Sequence, residues 1–368
     1  MASEIQSPKQ KSYDVVIVGG AMYGSSVAWW TARNPDFDGS ILVVERDPTY
    51  EFTVNFTHQL LSFFDNDDRV PEIVLQSYGY MYLADNDEFA QTLKESQEIQ
   101  QKLGSGTKHM SAAEIKEAYP FYNMDDILVG NHNLIDEGYF DGNTIFDWWK
   151  RSAREHGAEY IHNEVTAMGM NGDGTKVDTV TLQSGDVVSC GKIVNCAGPR
   201  AVVVSRMAGI EIPVEPRKRY TYIFDAEQPL DRDLPLTIDP TGVHMRTDED
   251  IAPDYDDFEQ DHSLWEQHVW PIIATRVPQF EAIKLINSWA GHYAFNTLDQ
   301  NAIIGPHSKV ENFIFVNGFS GHGFQQSPAM GRGVSEFITY GEYRTIDLSA
   351  FGYERIEKGE KFVEKAVI

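Results

Sequence analysis

An unbroken β-branched run that ends in glycines constrains this chain more than any other stretch. Val15-Val-Ile-Val18 is apolar throughout, which suits a strand buried on both faces. It stops at Gly19-Gly20, and an apolar helical stretch, Ser25 to Ala32, follows. A second apolar strand, Ile41 to Val44, ends on Glu45. Strand, tight glycine turn, helix, strand and terminal acid together form a dinucleotide-binding fingerprint. Each part has a physical task. Gly19 makes the turn and Gly24 lets the helix pack close to the strand. The helix N-terminus offers N–H groups and a positive dipole end to a pyrophosphate, and Glu45 can accept hydrogen bonds from ribose hydroxyls. Ala21 stands at the middle glycine position, so the backbone approaches the phosphates past a methyl group.

Charge and cysteine usage narrow the partners. The net charge of −26 disfavours nucleic acid and anionic membrane, because both are polyanions. The excess acid reads as a solvated surface. Cys190 and Cys196 give neither a disulfide framework nor metal-ligand spacing, so a reducing compartment and no metal are expected. Met1 to Ser12 lacks the apolar core of a signal peptide and the Arg-rich pattern of a transit peptide. No apolar run reaches membrane-spanning length. The expected location is cytoplasmic, with a peripheral position at an inner membrane as the alternative.

Along the chain, Asp87 to Leu103 and Asp141 to His156 read as amphipathic helices, and Ser111-Ala-Ala-Glu114 as a capping box opening a short helix. Val177 to Leu182 and Val187 to Cys190 read as a hairpin, Lys192 to Asn195 as a separate buried strand ending at Ala197-Gly198. Pro271 is expected to kink or break a helix over Ser263 to Arg276. Phe313 to Val316 is a further buried strand, with a helix from about Pro328 to Thr339 beyond it. The pattern is α/β (α+β overall). A Rossmann-like domain is assembled from residues 12–70, 137–212 and 287–345. A β-rich substrate domain takes residues 71–136 and 213–286, and residues 346–368 form a tail over the surface.

Gly318-Phe-Ser-Gly-His-Gly-Phe-Gln-Gln-Ser-Pro328 is the second informative stretch. Three glycines between a buried strand and a helix imply close backbone contact with something flat or anionic. A nicotinamide enzyme has no need of a second glycine-rich junction so far from the first, whereas a flavin has two ends to hold. Four motifs occur here in the order found in the D-amino acid oxidase superfamily, which includes sarcosine oxidase and glycine oxidase. They are the N-terminal glycine turn, Ile193-Val-Asn-Cys-Ala-Gly198, Trp289-Ala-Gly291 with Ile303-Ile-Gly-Pro306, and Gly318 to Phe324. The chain resembles that superfamily over nearly its whole length. Its C-terminal third is most similar to FAD-dependent oxidoreductase domain-containing proteins related to a mitochondrial complex I assembly factor.

The resemblance implies a fold of the D-amino acid oxidase/glutathione reductase type and FAD as cofactor. The AMP half would lie on Gly19, Gly20, Ala21, Met22, Tyr23 and Gly24 with Glu45 and Arg46, and Val165 beside the adenine. Ala197 and Gly198 would lie near the pyrophosphate, and Gly321, His322, Gly323, Phe324 and Gln325 near the flavin ring. The implied reaction is hydride transfer from a C–H beside an amine nitrogen to flavin N5, then imine hydrolysis, with a small amine or (N-methyl) amino acid as substrate. Oxygen or a quinone or flavoprotein would take the electrons. An assembly or electron-transfer role for a respiratory complex, and 2-hydroxy-acid oxidation on the same fold, stand as alternatives.

Several positions depart from the pattern. Gln325 stands where sarcosine oxidases have Lys, and His292 or Tyr293 where glycine-oxidase-like members have Arg. No Cys stands at the covalent flavin position, so dissociable, non-covalent FAD is expected. After Glu45 the Ser/Ala/Gly-rich loop and helix of the family are missing, and Gly242-Val-His-Met-Arg246 lacks a return strand. Candidate catalytic residues are His292 and Tyr293, of which one would face flavin or substrate. Gln325 and Gln326, at a helix N-terminus, would contact flavin O2 or substrate, or else form a solvated cap. Tyr222 shares a strand face with Tyr220. Arg246 would be a bidentate carboxylate partner, or else belong to a surface ion pair.

Overall fold

The computed structural model describes residues 4–47, 54–57, 76–133, 135, 137–140, 142–243 and 254–363. The chain opens with β1 (Ser12–Val18), α1 (Met22–Arg33) and β2 (Ile41–Glu45), then β3 (Val54–Thr57) and β4 (Tyr80–Ala84). Next come α2 (Asp87–Lys102), β5 (Lys108–Ser111), α3 (Ala112–Ala118), β6 (Val129–Asn133) and β7 (Glu137–Phe140). Helix α4 (Gly142–Glu155) leads into β8 (Glu159–His162), β9 (Val165–Met170), β10 (Val177–Leu182) and β11 (Val187–Asn195). They are followed by α5 (Ala201–Met207), β12 (Val214–Ala226), β13 (Leu236–Ile238), α6 (Trp270–Arg276) and β14 (Ile283–Asn296). The last elements are β15 (Ile303–Pro306), β16 (Phe313–Asn317), α7 (Gly323–Tyr340) and α8 (Glu354–Lys358).

The main sheet has eight strands: along the order β15-β16-β11-β1-β2-β8 it is parallel except for the antiparallel edge β15, and β10 and β9 branch antiparallel from β11. The chain steps from β1 to β2 and later to β8 on one side, then returns to place β11 on the other side of β1. The C-terminal end of β1 is therefore a topological switch point, where an open α/β sheet leaves a crevice for a ligand. Buried on both faces, β1 and β2 carry the unbroken apolar runs such strands need. One face packs on α1, α4 and α7, with Trp29, Trp148, Trp149 and Val334 filling the interface. The other packs on β9, β10 and α5 through Val180, Leu182, Val188 and Val204.

Three elements differ from the sequence expectation. The hairpin arm at Val187 and the buried strand at Lys192 are one continuous β11. Its first half pairs antiparallel with β10 and its last residues parallel with β16. Gly191 lies where the strand changes partners, and a Cβ there would come 2.6 Å from the Asp14 carbonyl oxygen. Pro271 does not break its helix. A π-helical turn, Trp265–Val269, runs into α6, with Pro271 at the second residue of α6, so the helix accommodates the ring by widening the preceding turn instead of dividing. Helix α7 starts at Gly323, five residues before Pro328. Pro328 leaves the Phe324 carbonyl without its helical donor, and Ser327 Oγ supplies one at 2.7 Å. The capping box at Ser111 is present, Ser111 Oγ accepting from Glu114 N and Glu114 bonding back to Ser111 N.

A second body of β-structure stands over the switch point. β12 and β14 form a long antiparallel ribbon, and β13-β4-β6-β5 form a four-stranded sheet over a core of Met81, Leu83, Ile115, Tyr122 and Phe280. Arg276 joins these parts from inside. Its Nε donates to Asp239 at 2.7 Å, and its Nη atoms bind Asp126 bidentately at 2.8 Å.

Candidate active site

The first glycine turn is built by close packing. Gly19 has φ +95°, and a Cβ there would come 2.5 Å from the Cys196 carbonyl oxygen. A Cβ on Gly24 would overlap the Gly19 carbonyl oxygen, so only glycine lets α1 start here. Helix α1 begins after Ala21 with no side-chain cap, leaving its first N–H groups directed at the switch point. Glu45 ends β2 beside the turn. One carboxylate oxygen accepts from Gly20 N at 2.6 Å and the other from Asp47 N at 2.7 Å. Burial raises the pKa of Glu45 against the pull of those two N–H groups. Arg46 extends past the crevice to Asp256 at 3.0 Å.

On the far side of β1, Asn195 ends β11 and shapes the next turn. Its amide nitrogen donates to Ala201 O and Ser205 Oγ, and its oxygen accepts from Ala197 N. This fixes Ala197 and Gly198 across the crevice from Glu45. Val165 starts β9 and is buried in the core under the sheet. The preceding connection is held to β2, since Asn163 N donates to Glu45 O at 2.9 Å.

The second glycine stretch meets the first. Tyr23, in the first turn of α1, stacks on Phe319 with ring centroids 4.1 Å apart, and a Cβ on Gly323 would fall on its hydroxyl. Burial raises the Tyr23 pKa strongly. Met22 is buried next to it. Ser26 Oγ donates to Ser327 O at 2.7 Å, locking α1 to α7. The loop itself is pinned to β14. Ser320, at φ +49°, donates its N–H to Ala294 O, and its hydroxyl accepts from Asn296 N. Gly321, at φ +99°, lies on the ring of Tyr293, where a Cβ would come within 2.7 Å. Gln325 and Gln326 stand in the first turn of α7, Gln325 facing the cleft. The Gln325 side-chain oxygen is buried and accepts no hydrogen bond from the described residues.

Between this loop and the β12–β14 ribbon opens a cleft of about 1660 Å³. Tyr78, Tyr80, Tyr122, Phe224, Trp289 and Tyr293 give it an aromatic wall. Arg219 adds a cation, its guanidinium 5.1 Å from the centre of the Tyr293 ring. In the β12–β14 register Arg219 opposes Gly291 and Arg217 opposes Tyr293, so Arg219 and Tyr293 share one face of the ribbon. Burial pushes the Tyr293 hydroxyl up to about 12. His292 points to the other face. Its Nε2 bonds the Asp257 carbonyl at 2.8 Å, and its ring stacks on Phe258 at 4.6 Å. Desolvation lowers its pKa. Tyr222, offered by the sequence as a catalytic candidate, opposes Ser288 and so shares the His292 face of the ribbon rather than that of Arg219 and Tyr293; its ring lies 5.0 Å from Trp265, and its hydroxyl has no hydrogen-bond partner among the described residues. Burial raises the Tyr222 pKa. His322 also lines the cleft. Arg246 lies outside the described residues. Arg219 is the cleft residue that sequence reasoning missed. It sits in Pro216-Arg-Lys-Arg-Tyr220, and strand alternation from Tyr293 across the ribbon was the signal that could have found it. Among the described residues no three His, Cys, Asp or Glu side chains converge as a metal site.

Two glycine cradles that converge on one aromatic cleft, at the switch point of a parallel sheet, define a dinucleotide-dependent redox enzyme. The chain belongs to the DAO family of FAD-dependent oxidoreductases, whose model matches residues 54–337. It is 32% identical, over 96% of its length and 85% of the relative's, to FAD-dependent oxidoreductase domain-containing protein 1 of Xenopus laevis. That alignment runs over 424 positions against 368 residues here, so the relative carries sequence that this chain skips. It is 23% identical to the mitochondrial sarcosine dehydrogenase of Mus musculus, over 91% of this chain and 40% of that protein. In fold it matches the L-proline dehydrogenase of P. horikoshii with a TM-score of 0.77 at 24% identity, over 96% of this chain and all of that one.

The residues present fit FAD. The uncapped first turn of α1 suits a pyrophosphate, and Glu45 sits where ribose hydroxyls would need an acceptor. The donorless Gln325 oxygen suits a flavin ring N–H. Among the described residues no helix is long and apolar enough to cross a membrane.

Proposed function

We propose that this enzyme oxidises the C–N bond of a small amine or (N-methyl) amino acid, with FAD held non-covalently. The observation that carries the reading is Arg219, a guanidinium stacked on Tyr293 within an aromatic cleft and next to the Gly321–Gln325 loop. A guanidinium can hold a carboxylate bidentately, and the aromatic wall then presents the neighbouring C–H bond toward the loop. Bound FAD supplies the hydride acceptor at N5, and water hydrolyses the resulting imine. The chain's own work is binding and orientation. Arg219 anchors the carboxylate. Tyr293, protonated across the physiological range, packs under the reacting group. Gln325 holds the flavin edge. The family's sarcosine dehydrogenases and the folded likeness to a proline dehydrogenase support an amine nitrogen that carries a carbon substituent.

The test is anaerobic bleaching of the FAD-loaded protein against amino acids, N-methyl amino acids and 2-hydroxy acids. Bleaching by N-methyl or cyclic amino acids supports the reading, and readmitted air then identifies oxygen as acceptor or excludes it. Bleaching by hydroxy acids alone replaces the reaction. No bleaching, with dithionite still reducing the flavin, favours an assembly or electron-transfer role.

A further inference from the structure

Residues 254–261 form a short acidic segment with an unusual span. Its Asp256 carboxylate is shared by two arginines from opposite sides of the crevice. Arg46, just past the end of β2, reaches one oxygen at 3.0 Å, and Arg200, in the turn after β11, reaches the other at 2.5 Å. Strands β2 and β11 are the two neighbours of β1. A carboxylate bonded to the arginines that follow both strands spans the crevice beyond the C-terminal end of β1. Asp256 is 62% exposed at its side chain and Arg46 41%, so this bridge lies at the outer rim of the crevice rather than inside it. The Arg200 guanidinium also stacks over Tyr255, 5.5 Å from the ring centre.

The rest of the segment is fastened to the substrate-side ribbon. Lys218 reaches the Asp257 carboxylate at 2.7 Å and the Glu259 carbonyl at 3.0 Å. His292 bonds the Asp257 carbonyl and stacks on Phe258. Gln260 donates to Ser288 O at 3.1 Å, and Asp261 N donates to the Tyr220 hydroxyl at 3.4 Å. One end is thus clipped over the dinucleotide crevice and the other to β12 and β14.

We propose that residues 254–261 are a strap that retains the bound dinucleotide, with Asp256 as the positioning residue that closes it and His292 as part of its anchor. A bridge at the outer rim leaves the phosphate-facing turn clear and still blocks the way out. The strap must open for FAD to leave, so the strength of the Arg46–Asp256–Arg200 bridge enters the release rate.

The test measures FAD release from the loaded protein by recovery of flavin fluorescence on dilution. Two exposed ion pairs, each of modest worth, predict release about fivefold faster in Asp256→Ala. Wild-type release should accelerate between about 0.05 and about 0.5 M salt, where screening becomes strong, and the variant should lose much of that acceleration. Asp256→Glu should restore both. Chymotryptic cleavage at Tyr255 and Phe258 gives a readout independent of turnover. FAD should slow it in the wild type and not in Asp256→Ala. Should Asp256→Ala fail to fold, Asp256→Asn keeps the volume and removes the charge, with the same two readouts expected. Release at the wild-type rate, or slower release because Asp256 competes with phosphate for the arginines, overturns the proposal. So does cleavage of the wild type that FAD leaves unchanged.

Discussion

Replacing Arg355 by Ala should cost the protein far more than a surface arginine would. Arg355 lies in α8, close to the C-terminus, and its side chain is 7% exposed. Its Nε and Nη2 bind the Asp299 carboxylate at 2.8 and 3.2 Å, and Asp299 is fully buried. The same guanidinium donates to the carbonyls of Asn301, Ala302 and Phe351 at 3.1, 2.8 and 2.7 Å. Truncation removes the charge partner of the Asp299 carboxylate and a donor from four carbonyls, those of Asn301, Ala302, Phe351 and Gly352, of which Asn301 O keeps Asn296 Nδ2. Breaking a buried pair from one side costs about 3–5 kcal/mol. Asp299 would keep three neutral donors, Asn296 Nδ2, Asn301 N and Phe362 N, so the lower end, about 3 kcal/mol, is expected. That is a large share of the roughly 5–15 kcal/mol by which domains are stable.

The damage should also reach the cofactor. Asn296, which bonds Asp299, donates its backbone N–H to Ser320 in the second glycine loop. The assay is urea denaturation with and without FAD, together with an FAD titration of the folded variant. Arg355→Ala should lower the midpoint and weaken FAD binding, and a paired Asp299→Asn, Arg355→Met variant should regain part of the stability. A loss under about 1 kcal/mol would refute the reasoning, since it would mean that the pair is solvated in the native protein.

Other outcomes follow from the site. Gly24→Ala should abolish FAD retention, seen as loss of the flavin absorbance on purification, because the new methyl overlaps the Gly19 carbonyl. Arg219→Met should raise KM roughly 10- to 100-fold for carboxylate substrates, the worth of a charge-assisted hydrogen bond, and leave an amine lacking the carboxylate nearly unaffected. Burial raises the Glu137 pKa to about 7, against the side-chain hydrogen bond from Asn133. The folded protein then binds more protons than the unfolded chain between the ordinary glutamate value and about 7, so this group removes stability as pH rises through that window. Glu137→Gln should therefore stabilise the protein at pH 8 by at most about 3 kcal/mol and have little effect near pH 4, measured by thermal denaturation across pH.

The parts of this enzyme legible in its sequence are those whose physics is local. The β1 run, the Gly19–Gly24 turn and the capping box at Ser111 each state their structure within a few residues. The second glycine loop was legible for the same reason. Helix α7 begins five residues earlier than Pro328 suggests, because a serine hydroxyl replaces the donor that the proline lacks, an exchange visible only in three dimensions. The single β11 was read as two pieces because its two halves answer to different neighbours, β10 and β16, far apart in the chain. Arg219 escaped notice because its meaning depends on the register of a ribbon whose strands are separated by the whole of β13 and α6. The choice between His292 and Tyr293 was open for a similar reason. Alternation says that they face opposite ways, and only the strap over His292 shows which face is covered.

The order of strands in the main sheet has a consequence for the protein's birth. β1 and β2 leave the ribosome first, but β11 and β16, which complete the central sheet, end at Asn195 and Asn317. At about 5–20 residues per second, the first glycine turn waits on the order of a quarter of a minute to a minute for the chain that closes the sheet. For roughly the first 9–35 s of that time, until β11 has been made, the apolar strand Val15–Val18 has one neighbour instead of two. Pairings this distant fold slowly and leave strand edges open to other chains. FAD, whose proposed site needs both glycine loops, can reward folding only after the second of them, Gly318 to Phe324, has been made.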